Sequence, residues 1–509
     1  MNPVDTESLQ GCALRVVFLH LLLTGVLSAQ DSPFPEPLLL AGKSSGAIVL
    51  KSGRMYQYSA DFGLVQVPEN RCTQHTRLLQ LPFIRHHARK DSSSEPVFIL
   101  GGGPGKSNLW REMPEIFYAH NDLVNVGYRG VDGEVKLKCP EIGRALTREN
   151  PLSHDVLMEF RKTLRSSHDS LVNSGIDLDG YTMLEVVEDV EALRRALGYE
   201  KINLFSTSYG TQVAYLYCMR YPNAVKRNLM VGASSRGRRF DSLWEPAVIE
   251  KMLQEYKVLW KADPEASANS PDILKTITSV LSRLPMAWND IPIDRDKVRL
   301  ATFFSLYETE SAATVFDAFV AGDKGDPAGL ALLVLGYDEA VQDTSRQYWG
   351  DFITKLVSGG MDSTRDYENE MDPPGSVLGS PSAKLWWTAA SRGGWPVGQI
   401  PREYQKLDTT SVRTLILNGQ LDFSSPPGNM VEAMPYFRNG EMLVMPAMGH
   451  MDVFKLQRGA IDHLAERFYV DGVVDTSKYR PNRIDFTPAE TLQDEARRLF
   501  GMDRKSVPP

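Results

Sequence analysis

Short, wholly apolar runs separated by longer amphipathic stretches set the rhythm of this chain. PVFIL runs into GGGPG at residues 101–105, LVNV from Leu123 into GYRG, and KINLF into STSYG, with RNLMVGA following. Apolar runs of this length, closed by glycine, read as strands buried on both faces of a sheet. From about residue 45 to 90, turn residues punctuate alternating stretches such as GAIVL and FGLVQVPEN, the pattern of an antiparallel strand set. Between the buried runs the period becomes helical. In MLEVVEDVEALRRAL, residues 183–197, Leu184, Val187, Val190, Leu193 and Leu197 share one face. Acids crowd its first half, Arg194 and Arg195 its end, and Gly198 follows, as the helix dipole and a glycine cap favour.

Strands alternating with helices predict a doubly wound, mostly parallel α/β sheet covered on both faces. The alternation fills residues 30–234 and lapses over 235–407, a mainly helical segment rich in Trp and Tyr. It resumes over 408–470 with RTLILNG, a helix from about Pro427, EMLVMPAMGH and a helix from about Asp452. The expectation is a core split around an inserted cap, with a polar tail over 471–509 that packs loosely.

Composition narrows the classes. Of 509 residues, 42% are hydrophobic and 24% charged, ordinary for a globular protein and unlike disordered or fibrous chains. Lys plus Arg number 56 against 64 Asp plus Glu, a net charge of -8, which argues against a nucleic-acid partner. At the N-terminus VVFLHLLLTGVL, residues 16–27, is too short to span a bilayer and fits a signal-peptide core ending near Ser28 or Ala29. Residues 1–29 therefore read as a signal, and the protein as secreted or periplasmic with no stable membrane association once the signal is removed. Asp5 and Glu7 are atypical for a signal and keep an uncleaved anchor as the alternative. Export permits disulfides. Cys218 lies in the apolar YLYCM and reads as a buried thiol, while Cys72 and Cys139 lie in loop-like contexts, where pairing is left open. No cysteine or histidine spacing suggests a metal.

The chemistry lies at the glycine-closed ends of the strands. Ser208 in STSYG sits where a strand turns into a helix, nearly the G-x-S-x-G elbow, with Ser206 in place of the first glycine. A serine hydroxyl needs a histidine to take its proton, and the histidine an orienting carboxylate. In doubly wound hydrolases these follow in the order Ser, acid, His, each after a strand. Of nine histidines, only His450 and His463 lie beyond the resumed alternation, and His463 falls in the helical IDHLAERF. His450, after EMLVMPAMG, is the candidate base, and Asp422, just past RTLILNG, the candidate acid. Oxyanion donors are expected from the Tyr209 N–H and from the glycine-rich loop at Gly102 and Gly103. A phosphate cradle fits poorly, because GGGPGKS lacks the G-x-x-x-x-G-K spacing.

VPENR, PVFILGGGPG, YRG, FSTSYGT, LNGQLDFSSPP and MGH together resemble the proline iminopeptidase and tripeptidyl aminopeptidase branch of the α/β-hydrolases, over about residues 60–235 and 380–455. That family usually carries HGGPG, D-x-R-G and G-x-S-Y-G. Here Gly101 replaces the His, Gly127-Tyr128 the Asp-x pair, and Ser206 the first Gly. The resemblance implies a serine peptidase that releases residues or short peptides from free N-termini, with no metal or cofactor. It also implies cap carboxylates for the substrate ammonium, for which FSLYETESAA, residues 304–313, offers Glu308 and, in reserve, Glu310. Trp386, Trp387 and Trp395 either line a prolyl pocket or pack cap against core. An esterase with the same residues, or an inactive binding protein on the same fold, are the other readings. A peptide or other small molecule is the expected partner.

Overall fold

A computed structural model of the chain describes residues 38, 40, 44–89, 95–109, 113, 115–234, 245–343, 345–406 and 408–502. The signal-like segment lies outside the described residues. Nine strands form one sheet: β1 (Ile48–Met55), β2 (Tyr58–Pro68), β3 (Leu78–His86), β4 (Val97–Leu100), β5 (Leu123–Val126), β6 (Ile202–Thr207), β7 (Val225–Val231), β10 (Arg413–Gly419) and β11 (Gly440–Met445). Their order is β1-β2-β3-β5-β4-β6-β7-β10-β11. The first three are antiparallel, and β5, β4, β6, β7, β10 and β11 run parallel. β4, β5 and β6 are buried at every position, as fully apolar runs require.

Between β7 and β10 the described chain is a stack of helices, from Pro246–Ala262 to Arg402–Gln405, with one small hairpin of β8 (Met286–Trp288) and β9 (Ile291–Ile293). Buried tryptophans hold this layer together and to the core. Trp386 stacks on Trp349 at 5.3 Å and meets Phe160 of the core helix His154–Asn173 at 5.5 Å. Trp387 lies against Tyr367, and the Trp395 indole donates to Thr354 Oγ1 at 3.0 Å. All three are buried; Trp386, against Phe160, and Trp395, edge-on to His168 at 5.5 Å, pack cap on core, while Trp387 packs within the cap.

Three sequence expectations change. The polar tail does not pack loosely. Phe486 meets Trp260 at 5.2 Å, and the helix Leu492–Leu499 buries Leu492 and Ala496 one turn apart against the cap. Gln493 donates to Asp317 at 2.7 Å and Arg497 to Asp326 at 2.5 Å, so a polar composition hides one apolar stripe with polar anchors beside it. In the helix Met183–Ala196, Glu185 and Asp189 do more than suit a dipole. Both are buried and hold Arg71 and the fully buried Arg129. The Cys72–Cys139 pair is not formed. Cys72 is exposed, whereas Cys139 is buried under Gly350, where burial and Glu141 push its thiol up to about 12.

Candidate active site

β6 ends at Thr207, Ser208 turns the chain, and the helix Tyr209–Arg220 begins. Ser208 sits at φ 50°, ψ -126°, a conformation that costs a non-glycine residue about 1–3 kcal/mol. The turn is held from both sides, since Ser208 N–H donates to Val231 O at 3.0 Å and Ser208 O accepts from Thr211 N–H at 2.8 Å. The glycine of the motif is sterically required. A Cβ at Gly210 would stand 2.0 Å from Leu100 O, so only a bare backbone lets the helix start this close to β4. Ser206, the departure from the motif, is buried in β6 opposite Leu100 and Met230, where a small side chain fits.

The next two candidates stand past the ends of β10 and β11. His450 Nδ1 lies 2.8 Å from Asp422 Oδ2, and Asp422 Oδ1 accepts from Ser425 N–H at 2.6 Å. Asp422 is fully buried and His450 is 7% exposed. His450 N–H donates to Tyr307 O of the cap at 2.6 Å, and the Tyr307 ring meets the imidazole edge-on at 5.9 Å. Among the described residues Ser208 Oγ has no hydrogen-bond partner, a common state for such a pair without substrate. His463 pairs instead with Asp475 at 2.9 Å on the far helix.

The two cap carboxylates separate. Glu310 is exposed on the helix Thr309–Asp323, whereas Glu308 is buried and accepts from Met451 N–H at 3.2 Å, the residue after His450. Burial, and then Asp452 beside it, raise the Glu308 carboxyl well above its ordinary range, which favours its protonated form. Asp452 Oδ2 accepts from Gly449 N–H at 2.7 Å and from Thr309 N–H and Oγ1–H at 3.1 and 2.7 Å. The carboxyl pair thus ties the His450 loop to the cap. The sequence reading gave Asp452 and Tyr307 no role, although Tyr307 lies within FSLYETESAA and Asp452 at a helix start.

The glycine-rich loop crosses above Ser208. A Cβ at Gly102 would lie 2.6 Å from Ser208 Cβ, which fixes glycine there. Its N–H, expected as an oxyanion donor, instead donates to Thr207 Oγ1 at 3.0 Å. The Gly103 N–H and the Tyr209 N–H, the latter at the open end of its helix, have no acceptor among the described residues. From the core side, Gly101 N–H donates to Asn108 Oδ1 at 2.8 Å, and Tyr128 O–H to Gly101 O at 3.0 Å. From the cap side, Tyr348 N–H donates to Gly105 O at 2.8 Å, Gln347 Nε2 to Pro104 O at 3.1 Å, and Gly105 N–H to Asp351 Oδ2 at 2.9 Å.

VPENR and YRG form a buried frame under this loop. Arg129 donates to both oxygens of Asp189, at 2.6 and 2.5 Å, and to Glu69 O, while Tyr181 O–H donates to Glu69 at 2.7 Å. Lys355 ion-pairs with Asp351 and donates to Arg129 O at 3.1 Å, joining the frame to the cap. Burial pushes the Asp351 carboxyl up and the Lys355 ammonium down, each opposed by the partner's charge.

Comparison with known proteins agrees with this geometry. Residues 95–264 match a family described as alpha/beta hydrolase fold, and residues 382–480 one described as TAP-like protein. A tripeptidyl aminopeptidase of Streptomyces lividans is 23% identical over 410 residues, 74% of this chain and 74% of that protein. Serine protease Hip1 of Mycobacterium bovis is 27% identical over 167 residues, 30% of this chain and 32% of its own. Among solved structures, a thermophilic esterase from Thermogutta terrifontis superposes with a TM-score of 0.35 and 14% identity, over 81% of this chain and 99% of that one. The chain has the α/β-hydrolase fold and is similar to tripeptidyl aminopeptidases and related serine proteases.

Proposed function

We propose that this chain is a serine hydrolase that cleaves peptides near a free N-terminus through an acyl-enzyme. The observation that carries the reading is the 2.8 Å contact of His450 Nδ1 with Asp422, past the strand ends beside a serine held in the strained elbow. With Nδ1–H donated to Asp422, the neutral imidazole keeps Nε2 as an acceptor for the Ser208 hydroxyl proton. Ser208 Oγ attacks the carbonyl carbon as that proton moves to Nε2. The tetrahedral oxyanion is received by the Tyr209 and Gly103 N–H groups, since the Gly102 N–H is already engaged by Thr207. His450 then protonates the leaving amine, and water, activated by the same nitrogen, releases the acyl group.

The peptide preference draws support from the similarity to tripeptidyl aminopeptidases and from the acids beside the His450 loop. Glu308 is the acceptor proposed for the substrate ammonium. An approaching cation favours its ionised form, so binding of a free N-terminus releases one proton and KM for such substrates falls as pH rises. Export follows from the signal-like N-terminus, and N-terminal sequencing of secreted material should begin just after Ser28 or Ala29.

A panel of matched substrates tests the reading. Free tripeptidyl or prolyl amides should be turned over, and their N-acylated counterparts should not. Turnover of simple esters and blocked substrates alone would favour the esterase alternative. Failure of a fluorophosphonate to label Ser208 would remove the hydrolase assignment.

A further inference from the structure

Within the hydrolase reading, on which this inference rests, we propose that Asp351 of the cap is a positioning residue for the oxyanion loop, holding the Gly103 N–H in place through Gly105. The loop has two halves with different supports. Gly101 and Gly102 are held by the core, through Asn108, Tyr128 and Thr207. Pro104 and Gly105 are held by the cap segment 347–351. Gly103 lies between the two and, among the described residues, is itself tied only by accepting from Lys106 N–H at 3.1 Å, so the direction of its N–H follows from both anchorages.

Asp351 closes the cap side. It is fully buried, and one carboxylate oxygen accepts the Gly105 N–H while the other takes Lys355. Lys355 in turn reaches Arg129 O, and Arg129 is clamped by Asp189. The acceptor that fixes Gly105 is therefore referenced to the rigid frame beneath the sheet's edge, and not to the cap alone. A buried carboxylate with its own cation is an expensive means of satisfying one backbone N–H. The arrangement is understandable if the position of that N–H matters to the reaction. Because the oxyanion exists only in the transition state, loss of this support acts on kcat and leaves ground-state binding nearly intact.

The test compares two double variants that leave no unpaired buried charge. Asp351→Ala with Lys355→Met removes the acceptor, and Asp351→Asn with Lys355→Met retains an amide oxygen for Gly105. Active sites are titrated with a fluorophosphonate, and kcat per titrated site and KM are measured on a free tripeptidyl amide. The alanine pair should lose about tenfold or more in kcat with KM within about twofold, and the asparagine pair should recover most of that loss. Unchanged kcat per titrated site in the alanine pair, or an equal loss in both pairs, overturns the proposal. If the alanine pair does not fold, Gln347→Ala decides. It removes one cap-side bond without touching a buried charge, and a kcat loss of about threefold at constant KM supports the proposal, whereas no change overturns it. A wild type that neither labels nor hydrolyses fails earlier, and takes the hydrolase reading with it.

Discussion

The cap grips the candidate site at two places, each with a buried carboxyl group that accepts a backbone N–H from a loop of the core, and the two grips are electrically different. At the glycine-rich loop, Asp351 holds Gly105 and is neutralised by Lys355 one turn along its helix. At the histidine loop, Glu308 holds Met451 beside a second acid, Asp452, and among the described residues neither makes an ion pair. One grip is a closed ion pair. The other is an acid pair that keeps a proton. The same mechanical task is thus done once by opposite charges and once by two acids, and the acid pair adjoins the proposed base.

Both grips serve one serine, so the largest expected effect is the floor against which they are measured. Ser208→Ala should lower hydrolysis by about 10⁴–10⁶-fold and abolish fluorophosphonate labelling, read by kinetics and mass spectrometry. Next comes breaking the ion pair from one side. Lys355→Met strands a buried carboxylate and should cost about 3–5 kcal/mol, visible in a denaturant titration, whereas Asp351→Asn with Lys355→Met should recover much of it. A full-sized loss in that double variant would mean that packing, not charge balance, governs this grip.

The acid pair gives a smaller, pH-dependent signal. Folding raises the Glu308 carboxyl above its ordinary 4.5, so the folded state keeps a proton that the unfolded chain releases. Its stabilisation is complete below about that value and falls as pH rises toward the raised folded value. Glu308→Gln cannot lose that proton. Its Tm relative to wild type should therefore climb by about 1–2 °C per pH unit as pH rises from 4.5 toward the raised folded value. A difference that stays flat would mean that the pair does not hold a proton. The smallest effect falls on the exposed reserve acid. Glu310→Gln should change stability by less than about 0.5 kcal/mol and leave KM for free N-termini unaltered; a raised KM would transfer the ammonium role to it.

Legibility in the sequence followed locality. Asp422 and His450 could be brought together in advance because each follows a mainly apolar strand within a few residues, and the split core was visible as an interruption of one rhythm. Asp351 left no such trace. In WGDFITKLVS its four-residue spacing to Lys355 is that of an ordinary surface ion pair, and only its place between Gly105 and Arg129 makes it a buried one. Glu185 and Asp189 misled in the same way, as acids at a helix start that turned out to face inward. Gly102 was legible as part of the oxyanion loop, but its steric tie to Ser208 and the use of its N–H by Thr207 depend on tertiary geometry and a side-chain rotamer that no pattern encodes.

β7 and β10 are neighbouring parallel strands, and just beyond them Gly232 N–H donates to Leu417 O at 2.8 Å while Asn418 brackets Ala233. The cap thus leaves the sheet at the C-terminal end of β7 and returns at the N-terminal end of β10, where Arg413 pairs with Arg227, a strand length away at roughly 3.3 Å per residue. Register is set by the pairing of β7 with β10 themselves, so the length and sequence of the insertion can be exchanged as long as it makes this end-to-end crossing. This layout lets one catalytic floor accept many different roofs, but each replacement roof must carry an acceptor for Gly105 and another for Met451, or the floor beneath it will be left with two loose boards.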